Sequence, residues 1–259
     1  MNMKKPVAIV GIGQMGGVFA KGFLKAGHPV YPFGHGMSIE SSVRSISEFD
    51  FVLLAVPENT LHSVIQSIPN PWKNKLGLLQ NELLPKDWQA ECIETVTAMA
   101  VWFEKKKGQG VTVFKPTPVF GPHAEIVREG LHEMDIPCKV LSSADELLIE
   151  LVKKNVYVFT INIAGLEKGG TTGDLLTHHL DFTQRIANEV IDIQEWLAKK
   201  RFNRDELISS MISVFEKVPE HKCRGRVARE RFERILAYAA AAGFETPVLT
   251  GIEDRISNT

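Results

Sequence analysis

Cysteine is scarce in this chain: Cys92, Cys138 and Cys223 lie far apart, and none falls in a CxxC or other metal-type spacing. That argues against a disulfide framework or a zinc knuckle and fits a reducing compartment. An excess of charge of one sign is lacking too. Lys plus Arg number 30 against 31 for Asp plus Glu, a net charge of −1, so no overall basic field exists to hold nucleic acid or an anionic membrane surface. Long apolar runs are also missing. The strongest, Phe51 to Val56, is far shorter than the ~20 residues that span a bilayer. The opening Met1-Asn-Met-Lys-Lys has the charge of a signal peptide's start, but the apolar run beyond it is only Val7-Ala-Ile-Val before a glycine turn, too short for a secretory apolar region. The expectation is a cytoplasmic protein with no nucleic-acid or membrane partner. GxSxG, HExxH and Walker A patterns are absent, which disfavours serine hydrolase, zincin and P-loop chemistry. His178 and His179 are adjacent, so on a helix they diverge by ~100° and cannot chelate one metal as an i, i+4 pair would; no metal site is expected.

The composition itself is that of an ordinary globular protein. Hydrophobic residues make up 44% and charged residues 24% of 259 residues, enough for one large domain or two modest ones. Val7 to Val10 is a continuous β-prone run of the kind buried on both faces in a parallel sheet. Next comes Gly11-Ile12-Gly13-Gln14-Met15-Gly16, a GxGxxG, and then apolar residues at helical spacing through Val18, Phe19, Phe23 and Ala26. A strand, this motif and a helix in that order predict a dinucleotide-binding turn. Gly11 permits the tight turn, Gly13 lets a pyrophosphate approach the backbone, Gly16 lets the helix pack on the strand, and the helix N-terminus offers its free N–H groups. A glycine-rich structural turn without a ligand is the alternative reading.

Val30 to Phe33 is a second strand, made irregular by Pro29 and Pro32. A protein preferring NAD carries an acidic residue at the end of this strand for the ribose hydroxyl; here Gly34-His35-Gly36 stands instead. No carboxylate is there to repel a 2′-phosphate, so NADP(H) is the expected cofactor and His35 its candidate phosphate contact, a solvated loop histidine being the other reading. Asp50 to Val56 is a third strand ended by Pro57, and Leu76 to Leu79 a fourth leading to Gln80-Asn81. Open α/β sheets place ligands at such carboxyl ends, which makes Asn81 a site candidate. Two strand-like stretches flank Lys105 to Gly110, predicting a hairpin, and Gly121-Pro122 opens a helix through Met134.

Ser143-Ala-Asp-Glu146 has capping-box spacing and starts a helix and a second domain. Beyond it apolar residues recur at helical spacing at Ile186, Val190 and Ile193, at Leu207, Met211 and Val214, and at Ile235 and Ala239. The fold class is therefore an α/β Rossmann-type amino-terminal domain, 1–141, followed by an all-α carboxyl-terminal domain, 142–259. One segment conflicts locally: Val156-Tyr-Val-Phe-Thr-Ile-Asn-Ile163 is a strand by propensity, although a helix apolar all round can exist at a domain's centre. Residues 222–234 carry six Lys or Arg against two Glu, which on a helix is usually a solvated face.

Lys154 and Asn162 within Val152-Lys-Lys-Asn-Val-Tyr-Val-Phe-Thr-Ile-Asn162, with Gly165-Leu166 and Gly173-Asp174-Leu175 beyond them, resemble the ketopantoate reductases. The amino-terminal GxGxxG, Gln80-Asn81, Phe120-Gly-Pro122 and Ser209-Ser-Met211 match that family in order, so the resemblance runs over nearly the whole chain. It implies that 146–165 is a long central helix, overriding the strand propensity. It implies Lys154 as general acid, Asn81 as its partner in catalysis and in holding the cofactor, and Asn162 and Ser210 on the substrate. It also implies Val56 and Pro57 beside the cofactor, and a substrate and dimerisation role for the second domain that leaves a homodimer open. On a helix Lys154 and Asn162, eight apart, face one way to within about 80°. The alternative for Lys154 is a solvated helix lysine. Departures are plain: Val158 stands where the family has a second asparagine, and Pro57 and His35 where it has a cofactor-contacting lysine and arginine. The substrate-contacting glutamate has no counterpart among Glu220 to Arg229, where Arg224 and Arg226 suggest a pocket for a more acidic keto or imino acid. The resemblance implies reduction of a small keto acid by NADPH. An imine or pyrroline-carboxylate reductase and a non-catalytic NADP-binding regulatory protein are the competing readings.

Overall fold

A computed structural model describes residues 4–34, 36–37 and 48–257. The chain divides into two units, Met1–Leu151 and Val152–Thr259. In the first, β1 (Val7–Val10), β2 (Val30–Phe33), β3 (Phe51–Leu54), β4 (Leu76–Leu78), β5 (Thr97–Met99), β8 (Thr117–Phe120) and β9 (Cys138–Val140) form one sheet in the order β2-β1-β3-β4-β5-β8-β9. The first five run parallel, β8 is antiparallel to β5, and β9 is parallel to β8. β1 and β3 are buried at every position, as their unbroken apolar runs require of strands covered on both faces. Pro32 is tolerated because β2 is the sheet edge. The predicted hairpin is β6 (Phe103–Lys105) with β7 (Val111–Val113), a separate two-stranded ribbon.

Among the described residues five helices accompany the strands: α1 (Gln14–Lys25), α2 (Leu61–Ser67), α3 (Asn70–Lys73), α4 (Pro85–Gln89) and α5 (Ala124–His132). Val7, Ile9, Phe51, Leu53, Met99 and Val119 point to one core with Val18, Phe19 and Phe23 of α1 and Val127 and Leu131 of α5. α1 and α5 meet at glycine: a Cβ on Gly22 would come 2.1 Å from the Gly130 carbonyl oxygen, and one on Gly130 would come 2.5 Å from the Phe23 ring. The helix expected from Gly121 begins at Ala124, since Gly121 has φ +133 and is packed against Val96 and Thr97.

The long helix α6 (Ala144–Lys168) crosses the division between the units. Ser143 caps it by accepting from Glu146 N–H at 3.1 Å, and Glu146 answers by accepting from the Ser142 backbone N–H at 3.1 Å, one residue earlier than in a strict capping box. Its first turns belong to the first unit, where Glu150 pairs with Lys115 at 3.4 Å. The contacts thus divide at Leu151/Val152, eight residues after α6 begins, whereas the expected boundary of 141/142 sits just ahead of it. The local strand propensity of 156–163 is overridden: Val156 to Ala164 are helical and buried at every position. Burial on all sides removes the half-wet face a β-rich segment needs, and the helix satisfies its own backbone.

In the second unit α6 is joined by α7 (Thr172–His178), α8 (Leu180–Ala198), α9 (Arg204–Lys217), α10 (Ala228–Ala242) and α11 (Pro247–Ser257). Thr171 and Asp174 cap α7 reciprocally, and the Glu189 carboxylate accepts from the Val248 and Leu249 N–H groups at 2.8 and 2.9 Å, closing the start of α11. No helix among the described residues is long and apolar enough to cross a membrane.

α8 ends in a left-handed turn at Lys199 (φ 51), tied by Glu195. This carboxylate, 6% exposed, accepts from Phe202 N–H at 3.0 Å, Arg201 Nη1 at 2.6 Å and Arg204 Nη2 at 3.3 Å. Burial pushes its carboxyl up, but the Phe202 amide and the Arg201 and Arg204 guanidinium groups together outweigh it and hold it below the usual carboxylate range. A depressed folded value stabilises above the ordinary carboxylate value and ceases to do so as pH falls through the folded one. Glu195→Gln is expected to cost about 1–3 kcal/mol at pH 7. Melting curves should show the gap to wild type shrinking below about pH 4; a gap independent of pH would contradict the network.

Candidate functional site

In the first unit the candidate site is assembled at the point where the sheet order reverses. β1 lies between β2 and β3, so its carboxyl end faces the crevice that open α/β sheets leave at such a switch point. Gly11 N–H donates to Phe33 O and Ala55 N–H to Val10 O, both at 2.8 Å. The three strand ends are thereby locked. Gly11 has φ +95, and a Cβ there would lie 2.6 Å from the Ala55 carbonyl oxygen; a Cβ on Gly16 would lie 2.0 Å from Gly11 O. These two glycines are required by the fold. Gly13 is different, with φ −79 and open space where a Cβ would point. It caps α1 without a side-chain hydrogen bond, and the first turn of α1 holds no acidic residue. The orphan N–H groups and positive end of α1 therefore face outward beside Ile12, Gly13 and Gln14, all exposed, and the half-buried Met15. Gly11 and Gly16 are thus held by packing, whereas Gly13 is not.

Val56 reaches the turn, its Cγ1 lying 3.1 Å from a Gly11 Cβ position. Pro57 comes next and opens a short 3₁₀ turn, Glu58–Thr60. Gln80, 5% exposed, fixes this loop: its Nε2 donates to Leu54 O at 2.7 Å and Val56 O at 3.2 Å, and its Oε1 accepts from Leu79 N–H at 3.1 Å. Gln80 is thus a positioning residue, whereas the sequence pattern singles out its neighbour. Asn81 Nδ2 donates to Glu58 Oε1 at 2.9 Å, which places Asn81 at the carboxyl edge beside the loop after β3. Glu58 does not stand out in the sequence because an exposed acidic residue after a strand is common, and only the fold brings it to Asn81. His35, the expected phosphate contact, lies outside the described residues.

In the second unit Lys154 and Asn162 both lie on α6 and both are buried, at 8% and 4% exposure. Burial sets Lys154 apart from the neighbouring Lys153, which pairs with Glu206 at 2.8 Å. Lys154 Nζ stands 5.6 Å from the centre of the Tyr157 ring, a cation–π contact within one helix turn. Asn162 Nδ2 donates to Val158 O at 2.9 Å, so the residue standing in place of a second asparagine contributes its carbonyl. Asn162 Oδ1 accepts from Arg231 Nη1 at 3.4 Å. Arg231, 7% exposed, is hidden in the basic run 222–234. The available signal is spacing: Ala228, Arg231, Phe232, Ile235 and Ala239 form the buried stripe of α10.

The loop before α10 lies over α6. Cys223 N–H donates to Gly170 O at 3.2 Å, Thr172 N–H to His221 O at 2.9 Å, and a Cβ on Gly165 would meet the Cys223 backbone at 2.7 Å. Gly173 approaches Pro219 nearly as closely, at 3.0 Å. The glycines that carry the resemblance are thus the ones that let this loop descend onto the helix. Cys223 is buried and burial pushes its thiol up to about 12, so it remains a packing group. Arg224 and Arg226 are exposed on the same loop, and Ser210 is half-buried on α9.

The three glycines of the turn separate in a direct test. Gly13→Ala should cost at most about 1 kcal/mol, the scale of a poorer N-cap. Gly16→Ala should cost about 3 kcal/mol or more, because backbone must move. Denaturant titration of both variants measures this, and equal losses would show that Gly13 is also fixed by packing.

No family model matches the chain, and no curated protein matches it in sequence. Solved structures do match. A D-mandelate dehydrogenase in ternary complex with NADH and anilino(oxo)acetate is 14% identical with a TM-score of 0.70, covering 98% of this chain and 97% of the other. A dimeric ketopantoate reductase from Staphylococcus aureus is 15% identical with a TM-score of 0.66, covering 98% of each chain. A 2-dehydropantoate 2-reductase from Methylococcus capsulatus is 11% identical with a TM-score of 0.68, covering 97% of this chain and 96% of the other. Over nearly its whole length, the chain therefore has the fold of the ketopantoate reductases and of D-mandelate dehydrogenase.

Proposed function

We propose that the chain is an NADP(H)-dependent reductase of a small 2-oxo acid. The observation that carries the reading is the pair Lys154 and Asn162, both buried, two turns apart on the central helix of the second unit. A buried ammonium acts on a neighbouring carbonyl through a low-dielectric setting, where its charge is felt strongly. A reduced nicotinamide, when bound, supplies the hydride. Lys154 then stabilises the negative charge growing on the carbonyl oxygen and gives that oxygen its proton. Asn162 and Ser210 are the substrate-orienting residues of the second unit, and Asn81, held by Glu58, serves the cofactor in the first. The turn Gly11 to Gly16, with Val56 and Pro57, takes the dinucleotide, its pyrophosphate on the outward N–H groups of α1. The structural neighbours support the class of reaction: one is a dehydrogenase solved with NADH and an oxo acid amide, and the others are keto-acid reductases.

Lys154→Ala and Lys154→Arg are expected to retain NADPH affinity while turnover falls by about 10²-fold or more, the scale of a lost general acid. Arginine keeps the charge but holds its proton too firmly to donate it. Steady-state kinetics with a panel of 2-oxo acids, beside a fluorescence titration of NADPH, measures both, and unaltered turnover would remove Lys154 from the mechanism. NADPH is expected to bind more tightly than NADH, because neither Gly34 nor Gly36 presents a carboxylate after β2. Comparing the two dissociation constants decides this; a preference for NADH would place the ribose elsewhere.

A further inference from the structure

Three of the four tryptophans in the chain, Trp72, Trp88 and Trp102, are buried, but Trp196 is 40% exposed. It stands in the last turn of α8, and Phe244, 38% exposed, follows the left-handed Gly243 that ends α10. Both rings line one hollow of about 340 Å³ in the second unit. Three consecutive cations, Lys199, Lys200 and Arg201, line it as well, against the two acids Asp192 and Glu195. The acids are already engaged, Glu195 by Arg201, Arg204 and the Phe202 N–H, and Asp192 by Arg204. Backbone bonds fix both walls: Lys199 and Lys200 N–H donate to Trp196 O and Glu195 O at 3.3 and 3.1 Å, and Phe244 N–H to Ala239 O at 3.0 Å. The first two also occupy carbonyls at the end of α8, which blunts the negative pole of that helix. Among the described residues neither ring meets another ring or a cation, and the Lys199 ammonium makes no hydrogen bond or ion pair. Flat apolar surface and positive charge are what the hollow has left to offer.

We propose that this hollow is a binding site for a small aromatic anion, an aryl carboxylate or aryl phosphate, with its ring against Trp196 and Phe244 and its charge toward Lys199. The proposal lies beyond the reductase reading and uses none of the residues placed in it. The volume falls at the low end of small-molecule sites, about 300–1,000 Å³, and suits one ring system with its acid group. Aromatic rings in offset or edge contact gain more than their buried area alone provides, so an aliphatic acid of equal size binds less well. A single exposed ion pair contributes little, but three neighbouring cations sum to a local positive field. A cationic ligand would meet that field as repulsion, and a neutral ring would gain nothing from it.

Trp196 is its own reporter. In a heteronuclear NMR spectrum of the nitrogen-labelled full chain, Trp196→Phe identifies the indole N–H signal of Trp196, and benzoate, neutral benzamide and non-aromatic cyclohexanecarboxylate are titrated against that signal. Benzoate is expected to shift it saturably with a dissociation constant on the order of 1 mM. Benzamide and cyclohexanecarboxylate should each bind at least about threefold more weakly, one for want of charge and the other for want of a ring. Lys199→Glu should weaken benzoate about fivefold and leave benzamide unchanged, whereas Phe244→Ala should weaken both. No saturable shift with benzoate, equal affinity for the three probes, or a benzoate affinity that neither variant alters would overturn the proposal, the last by showing that benzoate binds elsewhere. A Trp196 signal that moves with protein concentration alone would place a second copy of the chain in the hollow and overturn it as well. Should Lys199→Glu fail to fold, the benzoate-to-benzamide ratio of wild type and the response of Phe244→Ala decide. Each of these failures leaves the reductase reading standing.

Discussion

Along the middle of α6 a polar side chain has no water to fall back on, and the organisation of the second unit stems from that desolvation. Each polar group placed there must find a partner on another element or carry an unmet cost of about 1–3 kcal/mol. Asn155 finds Gln194 on α8 at 3.0 Å, and Asn162 finds Arg231 on α10 at 3.4 Å. The helix thereby dictates the register of two of its neighbours. Small residues complete the arrangement, since Gly165 and Gly225 admit the loop that carries Cys223 to Arg226. Hydrophobic packing supplies the bulk of the stability here.

In the first unit the corresponding constraint is backbone against backbone. β1, its turn, α1 and the end of β3 approach so closely at Gly11 and Gly16 that only a hydrogen atom fits. This close approach is what aims the N-terminus of α1 outward at the switch point of the sheet. Gln80 extends the same logic by bonding the carbonyls of Leu54 and Val56, which ties the loop after β3 to the end of β4. Donors held in place in this way cost little reorganisation when an anion arrives.

The two units differ in the kind of polar group they offer. In the first, the turn after β1 presents backbone dipoles and no acidic side chain. The second holds two buried basic side chains, Lys154 and Arg231. Lysine is the better proton donor and arginine the better fixed clamp, so the two residues are not interchangeable.

Much of this was determined by the sequence alone. The run Val7 to Val10, the glycine turn and the amphipathic spacing after it specify a strand, a turn and a helix because burial and sterics act within a few residues. The helical spacing of α8, α9 and α10 was legible for the same reason. What the tertiary structure decided is of longer range. Val156 to Ile163 has the composition of a strand, and burial on every side made it helix. The boundary near 141/142 rests on a capping motif, which marks where α6 begins, while the division at Leu151/Val152 depends on contacts made by its first turns. Arg231 looks in sequence like one more cation on a solvated face, and Glu58 like an ordinary surface acid. Local pattern records how a residue repeats with its own helix or strand. Which polar group it meets across 69 positions, as Arg231 meets Asn162, is settled only when desolvation forces distant donors and acceptors to pair.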